Sequence, residues 1–423
     1  MAVTYTYAVR YEVEAICRTP LRTGGTDGDP ETILESWDGT ALLQASSLAG
    51  ALRGWLESGQ NTALAEVLFG SPKMAGHLLM SDGVFEKAAE RFTRPRLRIN
   101  GETGTADEGG KFDVAHIGSG SCFRFTLTWL GLQRCDEELE AVEQMLAALN
   151  RGEIRLGAQK SNGFGRVELK VYKCTFDLTD PSDRAAWLGD TCQGTPLTLP
   201  EVVNARRVTF LVSGQADSLL VKAGVTLQKG DSNSAYTPNL TEGGRPILPG
   251  SSIKGAVRAR AEMIAGFLGL PLEVTENLFG RMSSEGDNGK AGCVFFEDGR
   301  LSGEKRLQIS RIRINRFTGG IIRGGLFTEE PLSCGVEMHI SAPDDPAACG
   351  LLLYALRDLG LGLYNLGSGG AIGRGYLSVR EIKAVTPDGT EARLIFDKQH
   401  RCTVEDPAGI FQTWLNDLGG ERA

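Results

Sequence analysis

The sequence predicts an α+β protein built twice in tandem, and repeated blocks and alternating periodicities carry that expectation. Leu97-Arg98-Ile99-Asn100 followed by Thr103-Gly104 reappears as Ile312-Arg313-Ile314-Asn315 followed by Thr318-Gly319. At that same offset Gly109-Gly110-Lys111-Phe112 lies under Gly324-Gly325-Leu326-Phe327. Further blocks recur in the same order. Ser46-Ser47-Leu48-Ala49-Gly50-Ala51-Leu52-Arg53 answers Ser251-Ser252-Ile253-Lys254-Gly255-Ala256-Val257-Arg258, and Leu68-Phe69-Gly70 answers Leu278-Phe279-Gly280. Leu156-Gly157, leading to Gly165-Arg166, answers Leu366-Gly367, leading to Gly373-Arg374. In each copy strand-period segments alternate with helix-period ones. Ordered blocks with small length changes between them mean duplication and fusion. A tandem of equivalent modules suits a ligand that itself repeats, such as a polymer.

The elements follow in order. Tyr7, Val9, Tyr11, Val13 and Ala15 alternate with Arg10, Glu12 and Glu14, a strand with one apolar face; Val208-Thr209-Phe210-Leu211-Val212 opens the second copy in the same way. Stretches rich in Gly, Asp, Ser and Thr come next, Thr23 to Asp29 and Gly230 to Thr237, and read as long loops. A helix then starts at each Ser-Ser pair. Leu48, Ala51, Leu52, Trp55 and Leu56 share one face, as do Ile253, Ala256, Val257, Ala261 and Ile264, with Ser46 and Ser251 as expected N-caps. Strand-rich segments carrying the Arg-Ile-Asn hairpins follow, expected from about Arg94 to His116 and Arg311 to Leu332. A second helix puts Leu139, Val142, Met145, Leu146 and Leu149 on one face; its twin runs from about Pro346 to Leu359. A Gly-rich loop and a last strand close each copy. This order is the ferredoxin-like βαββαβ plan. The expected domains are residues 1–180, a linker over 181–205, residues 206–386, and a C-terminal extension over 387–423 with a short helix near Gly409 to Leu418.

Composition narrows the function classes. With 423 residues, 41% of them hydrophobic and 23% charged, the chain has room for two cores. No apolar run approaches the ~18–20 residues that span a bilayer. No basic segment followed by an apolar one opens the chain, so the expectation is a cytoplasmic protein. Nine scattered cysteines without a Cys-x-x-Cys pair read as reduced thiols, and the four histidines lie far apart. The net charge of −8 counts against a generally basic surface but not against a local basic groove. Arg91, Arg94, Arg96 and Arg98 cluster in the first module, and Arg311, Arg313, Arg316 and Arg323 in the second.

Each motif has a chemical and a bland reading. The helix start at Pro249-Gly250-Ser251-Ser252-Ile253-Lys254-Gly255 offers N–H groups and hydroxyls to a phosphate, with Lys254 and Arg258 on one face. The first module keeps Arg53 but has Ala49 in place of the lysine. An ordinary core helix with solvated basic residues is the alternative. Gly157 to Arg166 and Gly367 to Gly375 could let backbone approach a polymer closely, or simply connect a helix tightly to a strand. Asp27-Gly28-Asp29-Pro30 precedes the first Ser-Ser helix. It could hold a divalent cation or position a nucleophile, or be an Asp-rich turn.

Together these residues resemble the RAMP superfamily (repeat-associated mysterious proteins), specifically the backbone subunits of CRISPR type III effector complexes, which act in antiviral defence. The resemblance rests on Leu248-Pro249-Gly250-Ser251-Ser252-Ile253-Lys254-Gly255, on both Gly-rich loops, and on Arg313-Ile314-Asn315-Arg316-Phe317-Thr318-Gly319 leading to Gly325-Leu326-Phe327. It covers about Tyr5–Val171 and Arg207–Val385, and the tandem looks like the fused subunits of subtype III-D and related systems. It implies an RRM-like palm with a thumb hairpin in each module. The palm would hold guide RNA through Ser46, Ser47, Arg53, Lys160, Ser161 and Arg166 in the first module. In the second the implied set is Ser251, Ser252, Lys254, Arg258, Gly369, Gly370 and Arg374. The thumbs would use Arg98, Asn100, Arg313, Asn315, Arg316 and Phe327 to kink the guide–target duplex.

The resemblance also implies cleavage of target RNA with a transient divalent cation, Mg²⁺ by preference, at a loop aspartate. Asp29 has the family spacing and would contact the metal, and Asp27 is its neighbour. In the second module that spacing lands near Ser234, with Asp231 displaced upstream, which counts against cutting there. The first module departs too, with Gln44-Ala45 where the family has Pro-Gly. Implied partners are guide RNA, target RNA, other RAMP subunits and a large polymerase/cyclase-like subunit. Three alternatives stand beside this reading. One is a structural backbone that does not cut. Another is a guide-processing endoribonuclease of related fold with a His or Lys base. The last is a ferredoxin-like protein that binds no RNA.

Overall fold

The computed structural model describes residues 5–25, 29–99, 105–203, 205–224, 227–228, 235–281 and 288–419. The chain divides into two compact units. One comprises Met1–Arg94, Phe112–Lys160 and Phe164–Ala205. The other comprises Pro95–Lys111, Ser161–Gly163 and Arg206–Ala423. Each is α+β, with helices packed on an antiparallel sheet.

In the first unit the opening strand Tyr7–Cys17 buries Val9, Tyr11, Val13 and Ala15, as its alternation requires. It lies in the middle of a 7-stranded sheet, between Cys122–Gly131 and Val167–Asp177. Helix α1 (Ala45–Ser58) buries Leu48, Leu52 and Leu56; α2 (Thr62–Phe69) follows it. Helix α3 (Asp136–Arg151) buries Leu139, Val142, Met145, Leu146 and Leu149. These side chains meet Tyr11, Phe125, Leu127 and Trp129 of the sheet in one core. The segment expected as a linker carries a helix and a strand. Asp180 accepts from the N–H groups of Ser182 and Asp183 and, with Pro181 at the first turn, starts α4 (Pro181–Gly189). Strand Thr195–Leu197 then joins the sheet edge beside Val167–Asp177.

The second unit repeats the plan. Arg207–Leu219 lies between Leu332–Pro343 and Leu377–Val385 in another 7-stranded sheet. Helices α5 (Gly250–Leu268), α6 (Leu272–Phe279) and α7 (Pro346–Gly360) correspond to α1, α2 and α3. The C-terminal extension contains the expected helix, α8 (Ile410–Gly419), packed on α7 through Phe411, Trp414 and Leu418. Two strands precede it, Glu391–Phe396 and Cys402–Glu405, and they extend the sheet beyond Leu377–Val385; the sequence reading had not placed them.

Two strand pairs stand where the hairpins were expected. Arg91–Ile99 pairs with Ala106–Ile117, and Ile309–Ile314 pairs with Ile321–Glu329. The second hairpin gains Ala235–Thr237 as a parallel neighbour. Among the described residues no helix is long and apolar enough to cross a membrane. All nine cysteines are unpaired.

Candidate functional site

The helix starts differ from expectation in one respect. The N-caps are Gln44 and Pro249, so Ser46 and Ser251 stand inside the first turn and neither caps the helix. The leading N–H groups are satisfied from far along the chain. Asp82 Oδ1 accepts from Ala45 N–H at 2.7 Å, and Asp298 Oδ1 accepts from Gly250 N–H at 2.8 Å. A carboxylate thus already complements the positive end of each helix. Its sequence signal was present, since Asp82-Gly83 and Asp298-Gly299 are themselves a repeat. Ser46 and Ser47 are exposed beside this cap, and Ser251 and Ser252 are half-buried.

The repeated arginines have matching internal partners. Arg53 Nη1 donates to the Gly70 carbonyl at 3.0 Å and Nε to Glu57 at 2.7 Å. Arg258 does the same with Gly280 at 3.0 Å and Glu262 at 2.7 Å. The Leu-Phe-Gly blocks recur because each ends in the carbonyl that its helix arginine holds. Glycine is needed there, with φ of 86° at Gly70 and 90° at Gly280.

Asp29 lies exposed on the loop between the opening strand and α1. Its Oδ1 accepts from Glu31 N–H at 2.9 Å, closing a short turn. The loop is fastened from beneath by Arg22, which is 7% exposed. Arg22 Nη2 donates to Asp29 O at 3.0 Å, and Nη1 donates to Pro30 O and Ala115 O, both at 2.8 Å. Burial lowers the Arg22 pKa, and the Asp29 charge acts against that shift. Asp27 lies outside the described residues.

Matching hydrogen bonds give the counterpart in the second unit. Ala115 N–H donates to Pro30 O at 2.9 Å, and Glu330 N–H donates to Thr237 O at 3.2 Å, so the stretch at Tyr236, just before Thr237, corresponds to the one at Asp29. Burial raises the Tyr236 pKa, and a hydrogen bond to Glu330 adds to that. Asp231 lies outside the described residues.

Basic residues gather around the second helix start. Lys254 Nζ donates to Ser161 Oγ at 2.9 Å. Burial, with Arg258 and Arg96 adding repulsion, pushes the Lys254 pKa down to about 8. In the first unit, separately, burial lowers the pKa of Lys160. Cations held together in partly desolvated surroundings favour an anion. Arg374 is different. It is 5% exposed and its Nη1 meets Glu329 Oε2 at 2.5 Å, so this loop arginine is committed inside the fold. Arg311 at 2.8 Å and Lys222 at 3.7 Å complete the cluster on Glu329. Gly369 and Gly370 are half-buried; Gly369 precedes and Gly370 begins a short 3-10 turn, Gly370–Ile372. Arg166 is half-buried, and its backbone N–H donates to Thr19 Oγ1 at 3.0 Å.

The hairpin residues divide into those that build the hairpin and those that face solvent. Asn315 Oδ1 accepts from Phe317 and Thr318 N–H at 2.8 and 3.2 Å and forms the turn. Arg313 and Arg311 lie over Phe327, at 5.7 and 5.0 Å from the ring centre. Arg98 pairs with Asp107 at 2.5 Å, and Arg316 is exposed. Asn100 lies outside the described residues. Phe317 at the tip is 100% exposed.

No three His, Cys, Asp or Glu side chains converge as metal ligands among the described residues. Asp29 offers one carboxylate. Mg²⁺ is commonly held by one or two carboxylates, with phosphate and water completing its shell.

No curated protein matches the chain. Among solved structures it is similar to a chain of "Cryo-EM structure of the Type III-B Cmr-beta bound to cognate target RNA", at 20% identity and a TM-score of 0.32. The similarity spans 40% of this chain and 61% of that one. A model of the RAMP superfamily matches residues 14–168 and 208–378. The repeated sequence blocks of both copies fall within those limits, and the chain belongs to the RAMP superfamily.

Proposed function

We propose that this chain is a guide-RNA-binding backbone subunit of a type III CRISPR interference complex, and that its first module cuts guide-complementary target RNA. Family membership and the duplicated frame support the RNA-holding role. The observation that carries the cutting role is the exposed Asp29 on its anchored loop, at a place where the second unit has Tyr236. Each module is read as a ferredoxin-like, RRM-like palm with a thumb hairpin. The position of each opening strand, between the two other long strands of its sheet, supports that reading. The fused III-D-like arrangement, a cytoplasmic location and neighbours that include other RAMP subunits and a large polymerase/cyclase-like subunit belong to the same proposal.

RNA carries its own nucleophile, the 2′-hydroxyl, so the protein need only splay the nucleotide, align that oxygen and answer the developing charge. Lys254, Lys160 and the exposed serines at α1 would hold phosphates. Asp29 would stand beside the scissile linkage. A divalent cation, when bound between Asp29 and the RNA, would supply charge neutralisation.

The test is purification with the neighbouring subunits, sequencing of the bound RNA, and a complementary target offered with and without Mg²⁺. Asp29→Ala should abolish the metal-dependent cut, a loss of ~10²–10³ in rate, and leave guide and target bound. The lone carboxylate favours one second reading, a structural backbone in which another subunit cuts. Unchanged products in Asp29→Ala would establish it.

A further inference from the structure

The Asp29 loop is built on a buried cation, and its counterpart is not. Arg22 O accepts from Ala158 N–H at 2.9 Å, and Leu220 O accepts from Ser368 N–H at 2.7 Å, so Leu220 stands where Arg22 does. Leu220 is 0% exposed and contributes no donor from its side chain. The second unit anchors its loop with a neutral residue. Asn239 accepts from Val221 N–H at 2.8 Å and donates to Leu219 O at 3.2 Å and Glu330 O at 2.8 Å. An amide is therefore enough to hold this loop in the shared fold. A buried guanidinium costs more desolvation than an amide, so its use calls for a reason beyond folding. Arg22 and Asp29 occur in the same unit, and Leu220 and Tyr236 in the other.

We propose that Arg22 is a positioning residue for RNA cleavage by the first module: its guanidinium fastens the Asp29–Thr32 turn to the hairpin strand at Ala115 and so fixes where the Asp29 carboxylate stands. The rigid fork of Arg suits the task. It reaches Asp29 O, Pro30 O and Ala115 O at once, and Thr32 O at 3.4 Å. Through its own carbonyl the same residue holds the Gly-rich loop at Ala158. The Asp29 loop, the hairpin and the Gly-rich loop thus meet at one residue. RNA gripped by the last two would be presented to the first in a constant register. This inference rests on the cleavage reading above.

The test compares wild-type, Arg22→Leu and Arg22→Lys proteins in the assembled, guide-loaded complex. Single-turnover cleavage of a complementary RNA is followed across a Mg²⁺ titration, alongside guide and target affinity. Amide hydrogen exchange at Glu31 and Thr32 reports on the loop without reference to activity. Arg22→Leu, which copies the second unit, should slow cleavage ~10²-fold at saturating Mg²⁺, the scale of a small misplacement of a reacting group. Guide and target affinity should hold, and exchange at Glu31 and Thr32 should quicken. Arg22→Lys keeps the charge with fewer donors and should fall between. Wild-type cleavage rates in Arg22→Leu overturn the inference. So does loss of guide binding in both variants, because Arg22 would then serve the whole fold. If only Arg22→Leu fails to assemble, the lysine variant decides: slowed cleavage with guide bound supports the inference, and wild-type cleavage sinks it. A wild-type complex that leaves target RNA whole overturns the cleavage reading itself, and this inference with it.

Discussion

At the scale of single residues, the arginines show what one-dimensional reading can miss. Arg53 and Arg258 recur at a helix face that suggests phosphate, yet each donates to a glycine carbonyl and to a glutamate four residues on. Arg53→Ala should therefore lower stability by about 1–3 kcal/mol in a denaturant titration, the cost of stranding a carbonyl. The salt slope of RNA binding should be unchanged. Lys254 behaves in the opposite way. Its pKa is about 8 in the fold against 10.5 in the open chain. Folding therefore pays the desolvation penalty in full below about 8, and the penalty fades as pH rises toward 10.5. RNA affinity should fall as pH rises through about 8 and the ammonium loses its proton, and Lys254→Met should flatten both curves. A pH-independent affinity in the wild-type protein would remove Lys254 from the RNA surface. The glycine carbonyls and Ser161 lie far from these residues in sequence, and for that reason only the residue types were legible.

Among the elements, the helices and long strands were legible because periodicity and burial coincide: Leu48, Leu52 and Leu56 face the core, as their spacing dictates. The hairpins were legible through their glycines and repeated Arg-Ile-Asn. Helix α4 was missed because weak amphipathicity was given more weight than Asp180-Pro181, a start signal in plain view. The joining of loops to hairpins was out of reach, since it depends on partners such as Glu329. That carboxylate, 4% exposed, gathers Arg374, Arg311 and Lys222 at the root of the second hairpin, and Val114 stands in its place in the first. Glu329→Ala should cost about 3–5 kcal/mol by leaving the buried Arg374 cation unanswered, readable as a lower melting temperature. Val114→Ala should cost less.

For the molecule as a whole, duplication preserved the frame and let the loops diverge. A single cut per copy of the chain is the expected product pattern on a long complementary RNA, resolved on a sequencing gel. Tyr236→Asp alone should add no second cut, because Leu220 leaves the new carboxylate without the anchor that Arg22 gives Asp29. The second hairpin has a further consequence, in colloidal behaviour. Ile312, Ile314, Phe317, Ile321, Ile322 and Leu326 are 47%, 56%, 100%, 66%, 43% and 45% exposed, and Ile309–Ile314 is the outermost strand of its sheet. A bare edge lined with β-branched and aromatic side chains is a template for stray pairing. The chain expressed without RNA or neighbours should scatter light increasingly with concentration, and a Phe317→Ser, Ile321→Thr variant should stay clear. Production of this protein will depend on giving that edge something to hold from the moment it is made.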